Sequence, residues 1–316
     1  MGIYAAILIF IIGIAVIIKS ADLFTDGAEG IAAVFRIPRI IIGLTIVSVA
    51  TTFPEFIVST VSSYMGFGGM AVGNALGSCL ANIGLILAAA AMIRTITFPA
   101  NTLKRELPFL LSTVAVFYAL SLNGRVSSSG GILLLVMLAG FFAYIIIREI
   151  KKRGRVQEPI PGEGHIRKDS AKFIIGAVGV IIAARFAIIP SGIAIARFMG
   201  VPEIVVGISI IAVGTSLPEL VTALVASAKK MGELAAGNVI GANILNILWV
   251  LGCSSLVKAL PIDVQTKAVT LPVVFLMTAL LLIFSRTRSR LTRREGLCLF
   301  TLYAGYLFYI LKFAYK

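Results

Sequence analysis

The sequence predicts an all-α polytopic membrane protein, with ten transmembrane helices arranged as two inverted five-helix repeats. Three observations lead there. Hydrophobic residues fill 59% of 316 positions and charged residues only 13%, with a mean hydropathy of +1.03, more apolar than a soluble domain of this size requires. The apolar residues gather in ten runs, at 3–18, 40–63, 70–93, 107–122, 130–147, 173–198, 204–228, 234–257, 268–285 and 296–312. These runs are too long and too uniform for barrel strands, which alternate with period two. Finally, one segment of the first half recurs in the second.

The first run has no basic stretch before it, and Lys19, Asp22 and Asp26 follow it in place of a small-residue cleavage site. It reads as a retained first helix. Runs two to five complete a first repeat, residues 1–147. Segment 148–170 is rich in Lys, Arg, Glu, Gly and Pro and holds the sole histidine, His165, as expected of a solvated cytoplasmic linker. Runs six to ten make the second repeat, residues 171–316. Within the sixth, Arg185 is expected to snorkel toward the outer interface. Cys79, Cys253 and Cys298 all fall in apolar runs and read as packing, without disulfide or metal spacing.

A net charge of +14 could suggest nucleic acid, but its distribution argues for topology. With ten spans both termini share a side. If that side is outside, the inward loops hold Arg36 and Arg39; Arg94, Lys104 and Arg105; the basic 148–172 segment; Lys229 and Lys230; and five arginines from Arg286 to Arg294. These are 20 of the 28 Lys and Arg. Basic residues mark cytoplasmic loops, so the expectation is an integral membrane protein with N- and C-termini outside and no nucleic-acid partner.

Residues 43–88 overlay 207–252 without a gap, and sixteen of 46 positions are identical, among them Thr51, Pro54, Glu55, Gly73, Asn74, Gly77 and Asn82. Shared lipid-like composition would produce matches among Ile, Leu, Val and Ala, not at Thr, Pro, Glu and Asn. Five spans per half is an odd number, so the second half enters the membrane from the opposite face. Inverted repeats are common in secondary transporters, whose sites lie where the halves meet.

Glu55 and Glu219 stand deep in apolar runs, where a carboxylate is costly and functional by default. Thr51 precedes Glu55 by four positions, and Thr215 precedes Glu219 likewise, so each pair shares a helical face. Pro54 and Pro218 lack an N–H and free the carbonyls of Ala50 and Gly214. In the next run Asn74, Ser78 and Asn82 form a stripe matched by Asn238, Ala242 and Asn246. Gly69, Gly73 and Gly77, with Gly237 and Gly241, read as close-packing positions; the asparagines divide between interhelical hydrogen bonds and ligands. Carboxylates, hydroxyls and carbonyls are hard ligands suited to Ca²⁺ or Na⁺, and no imidazole or thiolate set for zinc or copper accompanies them. Two ionised glutamates are neutralised by one Ca²⁺ or by two or more Na⁺, and mutual repulsion makes occupancy by one ion or the other exclusive. No cofactor is implied, and no nucleophile–base pair points to an enzyme.

The phrases Thr51-Thr52-Phe53-Pro54-Glu55 and Thr215-Ser216-Leu217-Pro218-Glu219, with Gly73-Asn74-x-x-Gly77-Ser78 and Gly237-Asn238-x-x-Gly241-Ala242, resemble the α-repeats of the calcium/cation antiporter superfamily. They are most similar to those of its compact prokaryotic sodium/calcium exchangers. The resemblance implies alternating access, with Ca²⁺ extruded against inward Na⁺ and the first and sixth helices sliding across the rest. It implies Ca²⁺ held by Glu55, Glu219, Thr51 and Thr215, and Na⁺ by these with Ser48, Thr52, Ser78, Ala212 (through its carbonyl) and Ser216. Asn82 and Asn246 would line the centre. Many sodium-coupled members carry Asp at the position of Asn246 and Ser at that of Ala242; the proton-coupled branch carries Glu where Gly77 and Gly241 stand. The expectation is a Ca²⁺/Na⁺ antiporter working as a monomer in the lipid bilayer. An H⁺/Ca²⁺ or other cation antiporter is the alternative, and a cation channel a more distant one.

Overall fold

The computed structural model describes residues 2–34, 48–100, 102–152, 165–228 and 232–312. Arg36, Arg39, Gly43, Ile46, Lys229, Lys230 and linker residues 153–164 lie outside the described residues.

The chain is built from helices joined by short turns. Among the described residues, six stretches are long and apolar enough to cross a membrane: Ile3–Phe24, Gly68–Ile93, Ser128–Arg148, Ile166–Met199, Ala235–Val257 and Thr266–Arg286. Shorter helices, Phe53–Tyr64, Leu107–Ser121, Glu203–Val206 and Leu217–Ala228, lie between them, and Arg293–Lys312 closes the chain. Proline stands second in Phe53–Tyr64, Leu107–Ser121, Ile189–Met199 and Leu271–Arg286; the last three continue directly from the wide helical turns Thr102–Glu106, Ala184–Ile188 and Thr266–Thr270, which accommodate a ring that carries no N–H. Gly200, at φ 66°, ends the Ile189–Met199 helix in the left-handed conformation that a side chain disfavours.

The local structure repeats at the spacing of the sequence. Phe53–Tyr64 finds its counterpart in Leu217–Ala228, Gly68–Ala81 in Gly232–Leu245, and the wide helical turn Asn82–Leu87 in Asn246–Val250. Two-residue strands also recur: β1, Ile96–Thr97; β2, Arg125–Val126; β3, Leu260–Pro261; and β4, Arg290–Leu291. β1 pairs antiparallel with β4, and β2 with β3. Exchanging the halves turns one pairing into the other, as a two-fold relation demands. Cys79 and Asn243 correspond under the same offset, and they touch: the Asn243 amide donates to the Cys79 carbonyl at 3.2 Å. Related helices cross there.

The core forms two clusters. The larger is centred on Gly68–Ile93 and Ala235–Val257, stretches that are each 78% buried. The smaller lies along Ile3–Val34 and Ile166–Ala183, and reaches the first through Met70, Val206 and Ile211. Its two long helices face outward elsewhere, with Ile7, Leu8, Ile11, Ile174, Ile175 and Ile182 exposed. In an apolar solvent these side chains lose nothing by exposure.

Several boundaries move. The first helix runs past the polar trio to Val34, because Asp26 is met by Lys172 at 3.3 Å from the neighbouring helix. That neighbour starts at Ile166, where the Asp169 carboxylate accepts from the backbone N–H of His165 at 2.8 Å. The expected linker therefore overlaps helix at both ends. Of the cysteines, only Cys79 is buried; Cys298 is exposed on a helix face and does not pack. Arg185 is exposed, its guanidinium 5.8 Å from the Phe186 ring centroid.

The two long helices meet at small residues. A Cβ on Gly176 would lie 2.6 Å from the carbonyl oxygen of Ser20, and one on Gly27 2.7 Å from that of Asp169. Backbone cannot yield there as a flexible side chain would. Gly176→Val is expected to cost about 1–3 kcal/mol through overpacking, read as a lowered thermal midpoint of the purified protein in detergent. An unchanged midpoint would show that the helices do not need this approach.

Candidate ion-binding site

Both glutamates sit one turn into a helix that begins at a break. The helix Ser48–Thr51 stops, Thr52 takes φ −82° and ψ −3°, and Phe53–Tyr64 starts anew; Ser216, at φ −88° and ψ 10°, makes the matching break before Leu217–Ala228. A proline at the second position of the new helix supplies the reason. The break is local: the Thr52 N–H still donates to the Ser48 carbonyl and the Phe56 N–H to the Thr52 carbonyl, both at 3.0 Å, and Ser216 and Leu220 repeat the pattern at 3.1 and 3.0 Å.

Glu55 and Glu219 are each 1% exposed. Among the described residues no Lys or Arg pairs with either. Their partners are neutral, and all but Ser78 come from the opposite half. The Ser216 hydroxyl donates to Glu55 Oε1 at 2.9 Å, and Thr215 and Ser78 also face that carboxylate. Thr51 faces Glu219, and the two carboxylates are close enough to repel one another. The halves thus meet in a crossed arrangement.

Asn74 joins the elements of the first half. Its amide donates to Ser59 Oγ at 3.0 Å and to the Glu55 carbonyl at 3.3 Å, while its own oxygen accepts from Thr215 at 3.4 Å. Asn82 donates to Asn243 Oδ1 at 2.8 Å. Thr51 and Thr215 also bond backward to the carbonyls of Ser48 and Ala212, both at 3.3 Å. Ser48, Ala212 and Asn246 are also buried, at the first positions of Ser48–Thr51, Ala212–Thr215 and Asn246–Val250, and Thr52 is buried at the first break.

Every expected site residue is therefore buried, and most carry an oxygen without a protein donor. Glu55 Oε2, Glu219 Oε2, Thr52 Oγ1, Ser78 Oγ, Asn82 Oδ1 and Asn246 Oδ1 are buried and have no hydrogen-bond partner among the described residues. Such atoms normally find one, and leaving each alone costs about 1–3 kcal/mol. Ser62 and Ser254 hydroxyls are likewise unpartnered, but no carboxylate accompanies them. Among the described residues no group of three or more His, Cys, Asp or Glu could hold a metal. The donor set is two carboxylates supplemented by hydroxyl, amide and carbonyl oxygens, a hard set that fits Ca²⁺ or Na⁺.

The glycine stripe divides. A Cβ on Gly77 would fall 2.6 Å from the Ile208 Cα, and one on Gly73 3.0 Å from the Ile208 nitrogen, so both serve close packing against the helical run from Glu203 to Thr215. A Cβ on Gly69 would make only ordinary contact, 3.7 Å from Ile204. Two residues escaped the sequence-based set: Ser59, which offered no signal beyond its phase on the Glu55 helix, and Asn243, which has no asparagine counterpart at Cys79.

The sodium/calcium exchanger protein family matches residues 5–147 and 170–312. Inner membrane protein YrbG of Escherichia coli is 35% identical over 263 residues, covering 81% of this chain and 81% of its own. The sodium/calcium exchanger MaX1 of Methanosarcina acetivorans is 29% identical, over 96% of this chain and 98% of its own. A solved structure of the sodium-calcium exchanger NCX_Mj, soaked with 2.5 mM Na⁺ and 0.1 mM Ca²⁺, superimposes with a TM-score of 0.69 at 28% identity, covering 98% of each chain.

The two halves of the site differ in a way that can be measured. Asn74 is fully bonded, whereas neither polar atom of the Asn238 side chain has a partner. Asn74→Ala is expected to lower stability by about 1–3 kcal/mol, since it strands buried partners. Asn238→Ala is expected to cost less than half as much, both measured by thermal or denaturant unfolding without Ca²⁺. Equal losses would contradict the asymmetry.

Proposed function

The chain belongs to the sodium/calcium exchanger protein family, and from that premise we propose that it is a secondary antiporter exchanging Ca²⁺ for Na⁺ at one site built around Glu55 and Glu219. Membership makes it an integral membrane protein and a cation transporter. The observation that carries the site is the set of six unpartnered, buried oxygens gathered from both halves, two of them carboxylate.

The chemistry follows from charge. Two ionised carboxylates repel in a medium of low dielectric, and a divalent cation between them reverses that energy. Ca²⁺ would take Glu55 and Glu219 with Thr51 and Thr215. Na⁺ ions would divide the same carboxylates with Ser48, Thr52, Ser78, Ser216 and the Ala212 carbonyl, while Asn82 and Asn246 line the centre. Because both ions need the same oxygens, one leaves as the other enters. Coupling is then competition, and it becomes transport when the site faces the two sides in turn. Ser216 holds Glu55 at 2.9 Å and would release it as a cation takes its place.

The proposed architecture is ten membrane helices in two inverted sets of five, residues 1–147 and 171–316, joined by the 148–170 linker. Both termini lie outside, the basic loops face the cytoplasm, and a single chain is the working unit. The smaller core packs Ile3–Val34 and Ile166–Ala183 on one another, which supports reading them as a pair that slides as one body across the larger cluster.

Glu55→Gln and Glu219→Gln are each expected to reduce Na⁺-driven ⁴⁵Ca²⁺ uptake into proteoliposomes at least 100-fold, about 2.7 kcal/mol or more of lost ion binding, with the thermal midpoint kept or raised. Transport at the normal rate in either variant would end the two-glutamate site. Sodium coupling has its own check. Ca²⁺ uptake is expected with Na⁺-loaded vesicles and not with a pH gradient alone; uptake driven by pH alone would replace Na⁺ by H⁺. Flux with no exchangeable ion inside would make the protein a channel.

A further inference from the structure

A cavity of about 620 Å³ opens where the Ala88–Ile93 helix ends and the Arg293–Lys312 helix begins. Arg94, Arg290 and Arg293 line it, with the hydroxyl residues Thr95, Thr97 and Ser227. Among the described residues no carboxylate belongs to the lining. The Thr97 hydroxyl donates to Glu233 at 3.5 Å, and Glu233 itself stands outside the wall.

Basic residues in loops follow from topology. Topology does not gather them into one cavity. Arg94 ends a helix of the first half, Arg290 and Arg293 belong to the second, and the pairing of β1 with β4 sets Thr97 opposite Arg290. The Arg293 Nη2 donates to the Ile93 carbonyl at 2.9 Å, which fixes that guanidinium and leaves most of its five N–H donors for a ligand.

The fold supplies its own comparison. The related pairing of β2 with β3 sets Pro261 opposite Arg125, so these two correspond to Thr97 and Arg290. Lys258 ends its helix in extended backbone as Arg94 does, and Ser128 starts the helix that corresponds to the one Arg293 starts. Ala259 stands for Thr95 at the spacing of the repeat. The strand pairing therefore forms without a third cation and without the two threonine hydroxyls. Their presence at the β1–β4 end is not a requirement of the architecture.

We propose that this cavity binds a soluble anion carrying two or more phosphoryl groups, with phosphate oxygens on Arg94 and Arg293, Arg290 adding charge, and Thr95 and Thr97 donating hydroxyls. Guanidinium forks match phosphate oxygens. Three separate forks around a space of this size call for more than one phosphoryl group. Ile93 is the one apolar side chain in the described lining, so the wall offers no seat for an acyl chain. The proposal draws on this cavity alone and stands whether or not Glu55 and Glu219 bind ions.

The experiment is isothermal titration of the full chain in detergent with inorganic pyrophosphate, in Ca²⁺-free buffer of low ionic strength. Wild type is expected to bind one pyrophosphate more tightly than about 1 mM, as two or three charge-assisted contacts allow. Arg94→Gln and Arg293→Gln are each expected to weaken binding about tenfold or more. Arg125→Gln, which removes the same charge at the related strand pair, is expected to leave the affinity unchanged. Thermal midpoints near that of wild type establish folding, and Arg94→Gln, at an exposed position, suffices if Arg293→Gln does not fold. Absence of binding to wild type, an affinity kept in folded Arg94→Gln, an equal loss in Arg125→Gln, or displacement of pyrophosphate by short-chain phosphatidylglycerol would overturn the proposal.

Discussion

Two carboxylates buried at 1% exposure without a basic partner impose the constraint around which the rest is arranged. An ionised group in an apolar interior is stable only if surrounding dipoles or an opposite charge replace its hydration. A salt bridge with Lys or Arg would satisfy that need permanently. The Ser216 hydroxyl satisfies it in part, and among the described residues Glu55 Oε2 and Glu219 Oε2 are left without a donor. In the proposed site a mobile cation supplies the remainder.

Packing enforces that balance. Gly73 and Gly77 let the Gly68–Ala81 helix touch the backbone around Ile204 and Ile208, which brings Asn74 to Thr215 and Ser78 toward Glu55. Breaks at Thr52 and Ser216 set the carboxylates one turn into new helices. Ser216 then bridges the halves through Glu55. Without Gly73 and Gly77 the helices would stand apart, since a Cβ at either would meet the backbone of Ile204 or Ile208. The long helices Ile3–Val34 and Ile166–Met199 share their smaller core with Ile57 and Val58 of the Glu55 helix, and Phe24 stacks on Phe53 with ring centroids 4.2 Å apart, so they too are tied to this centre.

The pairing of β1 with β4 and of β2 with β3 repeats the logic at the periphery. Each half lends a strand to the other, so the loops at either end are stitched across the two-fold relation. Arg293 adds to this by donating to the Ile93 carbonyl at 2.9 Å, across 200 residues of chain. Such ties hold the larger cluster together across the two halves.

Much of this was legible in the residues. Buried Glu55 and Glu219, the helix breaks at Pro54 and Pro218, the duplication, and the membrane class all follow from local rules: the cost of charge in apolar surroundings, the missing proline N–H, and length against bilayer thickness. Other features were beyond reach. The first helix continues through Lys19, Asp22 and Asp26 because a second helix supplies Lys172, and no local rule foresees a neighbour. Asn243 meets Asn82 and Cys79 where two related helices cross, a contact that depends on their crossing point. The sequence by itself determined which atoms would be buried and charged, because burial follows from composition and periodicity. Only the tertiary structure decided which of those atoms would be left without partners, because satisfaction of a hydrogen bond depends on ångström-scale distances between segments far apart in the chain.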